Sequence, residues 1–145
     1  MKMSSVCSSV FSRRSATLAA VLLLASASAV AKDIKVTLTG AEETPPVTTS
    51  ATGAGTIKVN KDKSVSGSIK TEGMTGTAAH IHTGARGESG PPIITLTQGP
   101  DNTWTVPPGS KLTDEQYAGF KSGKLYVNVH SAEHKPGEIR AQLKP

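Results

Sequence analysis

The sequence predicts an all-β domain, an antiparallel sandwich or barrel carrying one short helix. Apolar and polar residues alternate with period two in about eight short runs over roughly 110 residues, the pattern of half-buried strands. Clusters of turn-forming residues, "NKDKS", "TGARGESGPP", "QGPDN" and "HKPGE", separate these runs. A single segment, "LTDEQYAGFKSGK", breaks the alternation and carries helix-end signals instead.

The first 31 residues stand outside this pattern. Lys2, Arg13 and Arg14 are followed by an apolar run from Ala16 to Ala25 and by small residues ending in Ala29-Val30-Ala31. A basic start, a short apolar stretch and an A-x-A site predict a cleaved export signal over 1–31. The domain then occupies 32–145, and a periplasmic or secreted location is expected. The apolar run is about ten residues, half of what a helix needs to span a bilayer, so no stable membrane anchor is expected after cleavage. Arg13-Arg14 is a weak twin-arginine feature, and ordinary export is the preferred route. Cys7, the one cysteine, lies in this segment ahead of the apolar run, so the mature domain has no disulfide and relies on its core. Three of the 16 basic residues leave with the signal and none of the 11 acidic ones, which lowers the net charge from +5 to 13 − 11 = +2. No basic run with interleaved aromatics remains, so nucleic acid is not an expected partner.

The strands follow in order. "DIKVTLTG" puts Ile34, Val36 and Leu38 on one face. "AEETPPVTTSATGAGT" reads as an ordered loop or edge crossover, because Pro45-Pro46 excludes a central strand. "GTIKVN" pairs Ile57 with Val59, and "SVSGSIKTEG" pairs Val65 with Ile69 around Gly67. "TAAHIHTG" gives one face to Ala79 and Ile81. "IITLT" and "TWTV" supply Ile94, Leu96, Trp104 and Val106. The helix is expected over 114–122. Thr113 is its N-cap, Gln116 completes a capping box, and Asp114 and Glu115 favour the positive end of the helix dipole. Gly123 stops it, and Tyr117 and Phe120 pack inward. "KLYVNVH" and "GEIRAQL" close the chain with Val127, Val129, Ile139, Ala141 and Leu143 facing the core.

The histidines carry the chemistry. In an extended strand His80 and His82 share a face, about 7 Å apart at their bases. With Ile81 in the core, both imidazoles turn to the non-core side. His130 has the same parity beside Tyr126 and Asn128, opposite to Val127 and Val129. If the two strands are neighbours, three imidazoles converge on one ion, and neutral imidazole suits copper, zinc, nickel or iron. His134, in the "SAEHKPGE" turn, is either a fourth ligand or plain surface. Met74, the one methionine beyond the signal, is either a soft ligand for copper(I) or a core residue. Glu138, Arg140 and Gln142 share the outer face of the last strand, as a solvated ion-pair network or as groups supporting the metal ligands. Tyr126 and Asn128 are candidates for the same supporting role.

Catalytic arrangements are poorly represented. No serine has a nucleophile-elbow context, and no cysteine lies beyond the signal. Glu42 and Glu43 are adjacent and would face opposite ways in a strand, which makes a poor acid–base pair. The glycines of "GARGESG" are followed by Pro91-Pro92 and no helix, so they read as turn punctuation rather than a phosphate loop.

Three blocks, "LTGAEETPPVTTSATGAGTIKV", "AAHIHTGARGESGPPIITL" and "LYVNVHSAEHKPGEIRAQL", resemble the CHRD domain, which occurs as repeats in chordin and alone in exported bacterial proteins. The resemblance spans about residues 33–143. It departs at Ala141, where the family usually has glycine, and in "HKPGE", where proline-glycine-glycine-glutamate is usual. It implies a Greek-key sandwich of immunoglobulin-like or superoxide-dismutase-like type, and it fixes no general activity. The "HIH" block is also similar to the copper-binding histidine pair of copper/zinc superoxide dismutases, an analogy that places His80, His82 and His130 on a copper site. The zinc-loop histidines and aspartate have no counterpart here, and likeness of fold does not confer dismutase activity.

The favoured expectation is an exported, non-catalytic copper-binding protein, with zinc the second choice of ion. The alternative is a structural or recognition module for a protein or glycan, in which the histidines hold turn backbones.

Overall fold

The computed structural model describes residues 32–145; the expected export signal lies outside the described residues. Nine strands form one antiparallel sheet: β1 (Lys32–Thr39), β2 (Thr52–Val59), β3 (Val65–Glu72), β4 (Gly76–Thr83), β5 (Pro92–Thr95), β6 (Thr97–Gln98), β7 (Thr103–Thr105), β8 (Leu125–Ser131) and β9 (Ile139–Gln142). The helix α1 (Asp114–Lys121) lies between β7 and β8, and a 3-10 turn covers Gly40–Glu42. The spatial order is β5-β4-β8-β9-β1-β2-β3-β7-β6.

The two ends of that order are consecutive in sequence. β5 pairs with β4 and β6 pairs with β7, with only Leu96 between them. Leu96 is 4% exposed and its amide donates to the Ala79 carbonyl at 2.9 Å. One bent segment thus joins both edges, and the sheet is a nearly closed barrel. The expected single strand "IITLT" is therefore split, because its two halves must serve different neighbours.

The interior follows the period-two reading. Leu38, Ile57, Ile69, Ile81, Val127 and Ile139 are each at most 1% exposed. The helix keeps its expected ends: Thr113 Oγ1 accepts from the Gln116 amide, and the Gln116 side chain accepts from the Thr113 amide. Phe120 is buried and Tyr117 packs against the core. Gly123 takes φ 70°, the left-handed stop that glycine favours. No helix among the described residues is long and apolar enough to cross a membrane.

The loop expected over "AEETPPVTTSATGAGT" is shorter than its composition indicates, since β2 begins at Thr52 and runs in full register with β1 and β3. Its glycines are there for packing. A Cβ on Gly55 would collide with the Ser68 carbonyl oxygen and come within 2.7 Å of the Ile69 Cα. The remaining stretch, 40–51, folds back across the barrel wall. Together with the 84–91 loop it covers the outward side of β8 and β9, which alternation alone leaves in solvent.

Candidate metal centre

β4 and β8 are direct antiparallel neighbours. His80 faces Asn128, His82 faces Tyr126, and His130 faces Ala78. His130 is thus diagonal to His80 on the same face. One ring nitrogen from each of His80, His82 and His130 lies within 4.8 Å of the other two. Two nitrogens bound to one tetrahedral ion at 2.0–2.1 Å stand about 3.3 Å apart. His80 Nδ1 and His130 Nε2 are 3.0 Å apart, a spacing that one ion could bridge once it displaces the proton between them.

Backbone carbonyls fix two of the rings. His82 Nδ1 lies 2.8 Å from the Gly90 carbonyl and His130 Nδ1 lies 2.7 Å from the Lys135 carbonyl. A carbonyl only accepts, so each Nδ1 carries the proton and each Nε2 keeps its lone pair. His82 Nε2 is buried and has no hydrogen-bond partner among the described residues. A ring whose second nitrogen is tied to a carbonyl is the usual state of a metal-binding histidine. His80 carries no such tie and donates from Nδ1 to His130. Burial holds His80 and His82 below the usual imidazole pKa; the neighbouring rings push His80 further down, while the Gly90 bond partly offsets the effect at His82. Both shifts favour the neutral ring, the form a metal requires.

The histidine face is not a free surface, as parity alone predicted. His82 is 7% exposed, while His80 and His130 are half-buried. Arg140 is 1% exposed, not part of a solvated network, and is the largest fully buried side chain. It donates to the Glu88 and Ala85 carbonyls at 2.8 and 2.9 Å and to Gln142 Oε1 at 2.9 Å. Its guanidinium sits 3.5 Å from the centre of the Tyr126 ring. The same ring stacks on His82, centroids 4.8 Å apart and nearly parallel. The Tyr126 hydroxyl accepts from the Gly90 amide, and Arg86 bridges the two covering loops through Glu42 at 2.6 Å. Alternation could not foresee this, because the loops that bury the face contact it over 36 to 55 residues of sequence separation.

Asn128 is 2% exposed and its Nδ2 donates weakly to the Pro136 carbonyl at 3.4 Å. Beside it is Glu43, 7% exposed, although its place just before Pro45-Pro46 predicts a loop. Burial raises the Glu43 pKa, with Asn128 and Arg140 pulling it back. The one signal for Glu43 in the sequence is its place in the "EETPP" block.

His134, Glu138 and Met74 are placed elsewhere. His134 is not in the convergent group. Its amide donates to Ser131 Oγ and its carbonyl accepts from Gly137. Glu138 accepts from Thr49 Oγ1 at 2.6 Å, pinning the 40–51 loop. Met74 packs partly against the core and lines a cleft with Ser131, Glu133 and Glu138. The bonds of His134 to Ser131 and Gly137 lie within its own turn.

No curated protein and no solved structure matches the chain. The family model for the CHRD domain matches residues 34–143, a span that contains the three convergent histidines, the Arg140 clamp and all but two residues at each end of the described chain, and the chain belongs to that family.

Proposed function

We propose that this CHRD-domain protein is exported and binds a transition-metal ion, copper foremost, through His80, His82 and His130, to store, buffer or hand it over. The observation that carries the reading is the convergence of the three rings on one side of β4 and β8, with two of them already held in the metal-binding tautomer. An all-imidazole set ranks copper(II) above zinc on intrinsic affinity. The signal-like residues 1–31 and the lack of cysteine beyond them support export. The crossover that carries the chain from β3 to β4, on the far side of β8 and β9, supports a Greek-key arrangement of superoxide-dismutase-like or immunoglobulin-like type.

Titration of the purified protein with copper(II) and zinc tests the proposal. A complex much tighter than about millimolar is expected, lost when His80 and His82 are both changed to alanine. Binding no tighter than millimolar, or binding indifferent to that change, refutes it.

One observation favours a second reading, a structural or recognition module: His82 and His130 both brace turn backbones, as that role requires. His80 separates the two, because it holds no backbone group. Under the metal reading His80→Ala sharply weakens ion binding and leaves the metal-free fold nearly unchanged; under the second the fold is equally unaffected and there is no ion binding to lose.

A further inference from the structure

Three acceptor atoms of the covered face are buried without a hydrogen-bond partner among the described residues: His82 Nε2, Asn128 Oδ1 and Glu43 Oε1. Their residues are 7%, 2% and 7% exposed. Such atoms are costly to bury unpaired, and three together leave a local shortage of donors or positive charge. They are linked through Asn128. It stands across from His80 in the β4–β8 register. Its Nδ2 lies toward the Pro136 carbonyl, and both Nδ2 and Glu43 Oε1 crowd the α-carbon of Gly137, where a side chain would strike them.

The surroundings fix which way the amide points. A carbonyl and a carboxylate both accept, so the donating end of Asn128 belongs on their side. Its oxygen is then left for the histidine side. The reverse orientation would set an oxygen against two acceptors. Gly137, with φ 144°, lets Glu43 come this close.

Resting on the metal reading above, we propose that Asn128 Oδ1 is the fourth, oxygen donor to the ion held by His80, His82 and His130, and that Glu43 is the positioning residue that turns this oxygen toward it. A set of three imidazoles and one amide oxygen suits a divalent, four-coordinate ion. Copper(I) is softer and gains little from an amide oxygen. The fourth position thus tilts the site toward copper(II) over copper(I).

The ratio of copper(II) to copper(I) affinities tests this, because a purely structural fault weakens both oxidation states alike. Asn128→Leu removes the oxygen; the ratio is expected to fall at least tenfold, equal to about 59 mV in the copper(II)/copper(I) potential for one electron. Glu43→Gln keeps the shape and removes the charge that orients the amide, so a smaller fall in the same direction is expected, and this variant serves if Asn128→Leu does not fold. An unchanged ratio in the folded variants overturns the proposal. If the unaltered protein binds neither copper ion, the metal reading itself fails, and that result is distinct from an unchanged ratio in a protein that binds.

Discussion

Replacing Arg140 with methionine keeps much of the side-chain volume and removes the guanidinium. Three of its hydrogen bonds are 2.8–2.9 Å long, to Glu88 O, Ala85 O and Gln142 Oε1. Hydrogen bonds from a charged donor are each worth about 1.5–3 kcal/mol, which sets a ceiling of roughly 4.5–9 kcal/mol for three. Two corrections lower it. Glu88 is exposed and Ala85 is half-buried, so water can take over part of what their carbonyls lose. The methionine also spares the desolvation of a buried cation. A loss of about 3–4 kcal/mol remains, a large share of the 5–15 kcal/mol typical of a domain. Urea unfolding in the presence of a chelator measures it. Hydrogen exchange should show the 40–51 and 84–91 loops losing protection before β1–β3, since Arg140 holds carbonyls of the second loop and Thr44 Oγ1 of the first. Arg140→Lys should recover only part of the loss, because an ammonium cannot reach separate carbonyls as a planar fork does. A loss below about 1 kcal/mol for Arg140→Met, with loop protection intact, would show that this clamp is not what closes the face.

Acid should weaken the metal-free protein. The folded pKa values of His80 and His82 lie below their unfolded values, so their contribution is present above the unfolded pKa, about 6.5, and is lost as pH falls through the lowered folded values. Urea midpoints between pH 7.5 and 5 should therefore drop more in the unaltered protein than in one carrying both His80→Asn and His82→Asn; equal slopes would count against the buried placement. Gly55→Ala should cost about 1–3 kcal/mol through overpacking against Ser68 and Ile69 while sparing ion affinity, because β2 and β3 lie away from the histidines. Thr113→Ala should cost about 1 kcal/mol by removing the α1 cap, visible as a lower thermal midpoint with ion binding unchanged.

Local patterns made the strands, the α1 cap and the shared parity of His80, His82 and His130 readable from the sequence. Parity is a property of neighbours in the chain, and it survived folding intact. Which groups that face would meet was not readable. The carbonyls that hold Arg140 belong to residues 52 and 55 positions away, and Glu43 reaches Asn128 from a segment whose prolines announced only a loop. Composition made Arg140, Glu138 and Tyr126 look solvated, and the covering loops reversed that for all three. The "TGAGT" stretch reads as part of an ordered loop or edge crossover for a related reason: glycines there answer a close approach of β3, which sequence does not display.

The barrel wall is held at two narrow seams. β1 meets β9 in register at a single pair, Thr39 and Arg140, and on the opposite side the wall turns at Leu96. Between these seams the molecule divides into two leaves, one of β5, β4, β8 and β9 and the other of β1, β2, β3, β7 and β6. All three imidazoles sit on the first leaf. A tilt between the leaves would therefore strain the Thr39–Arg140 pairing before it changed the distances within the histidine cluster.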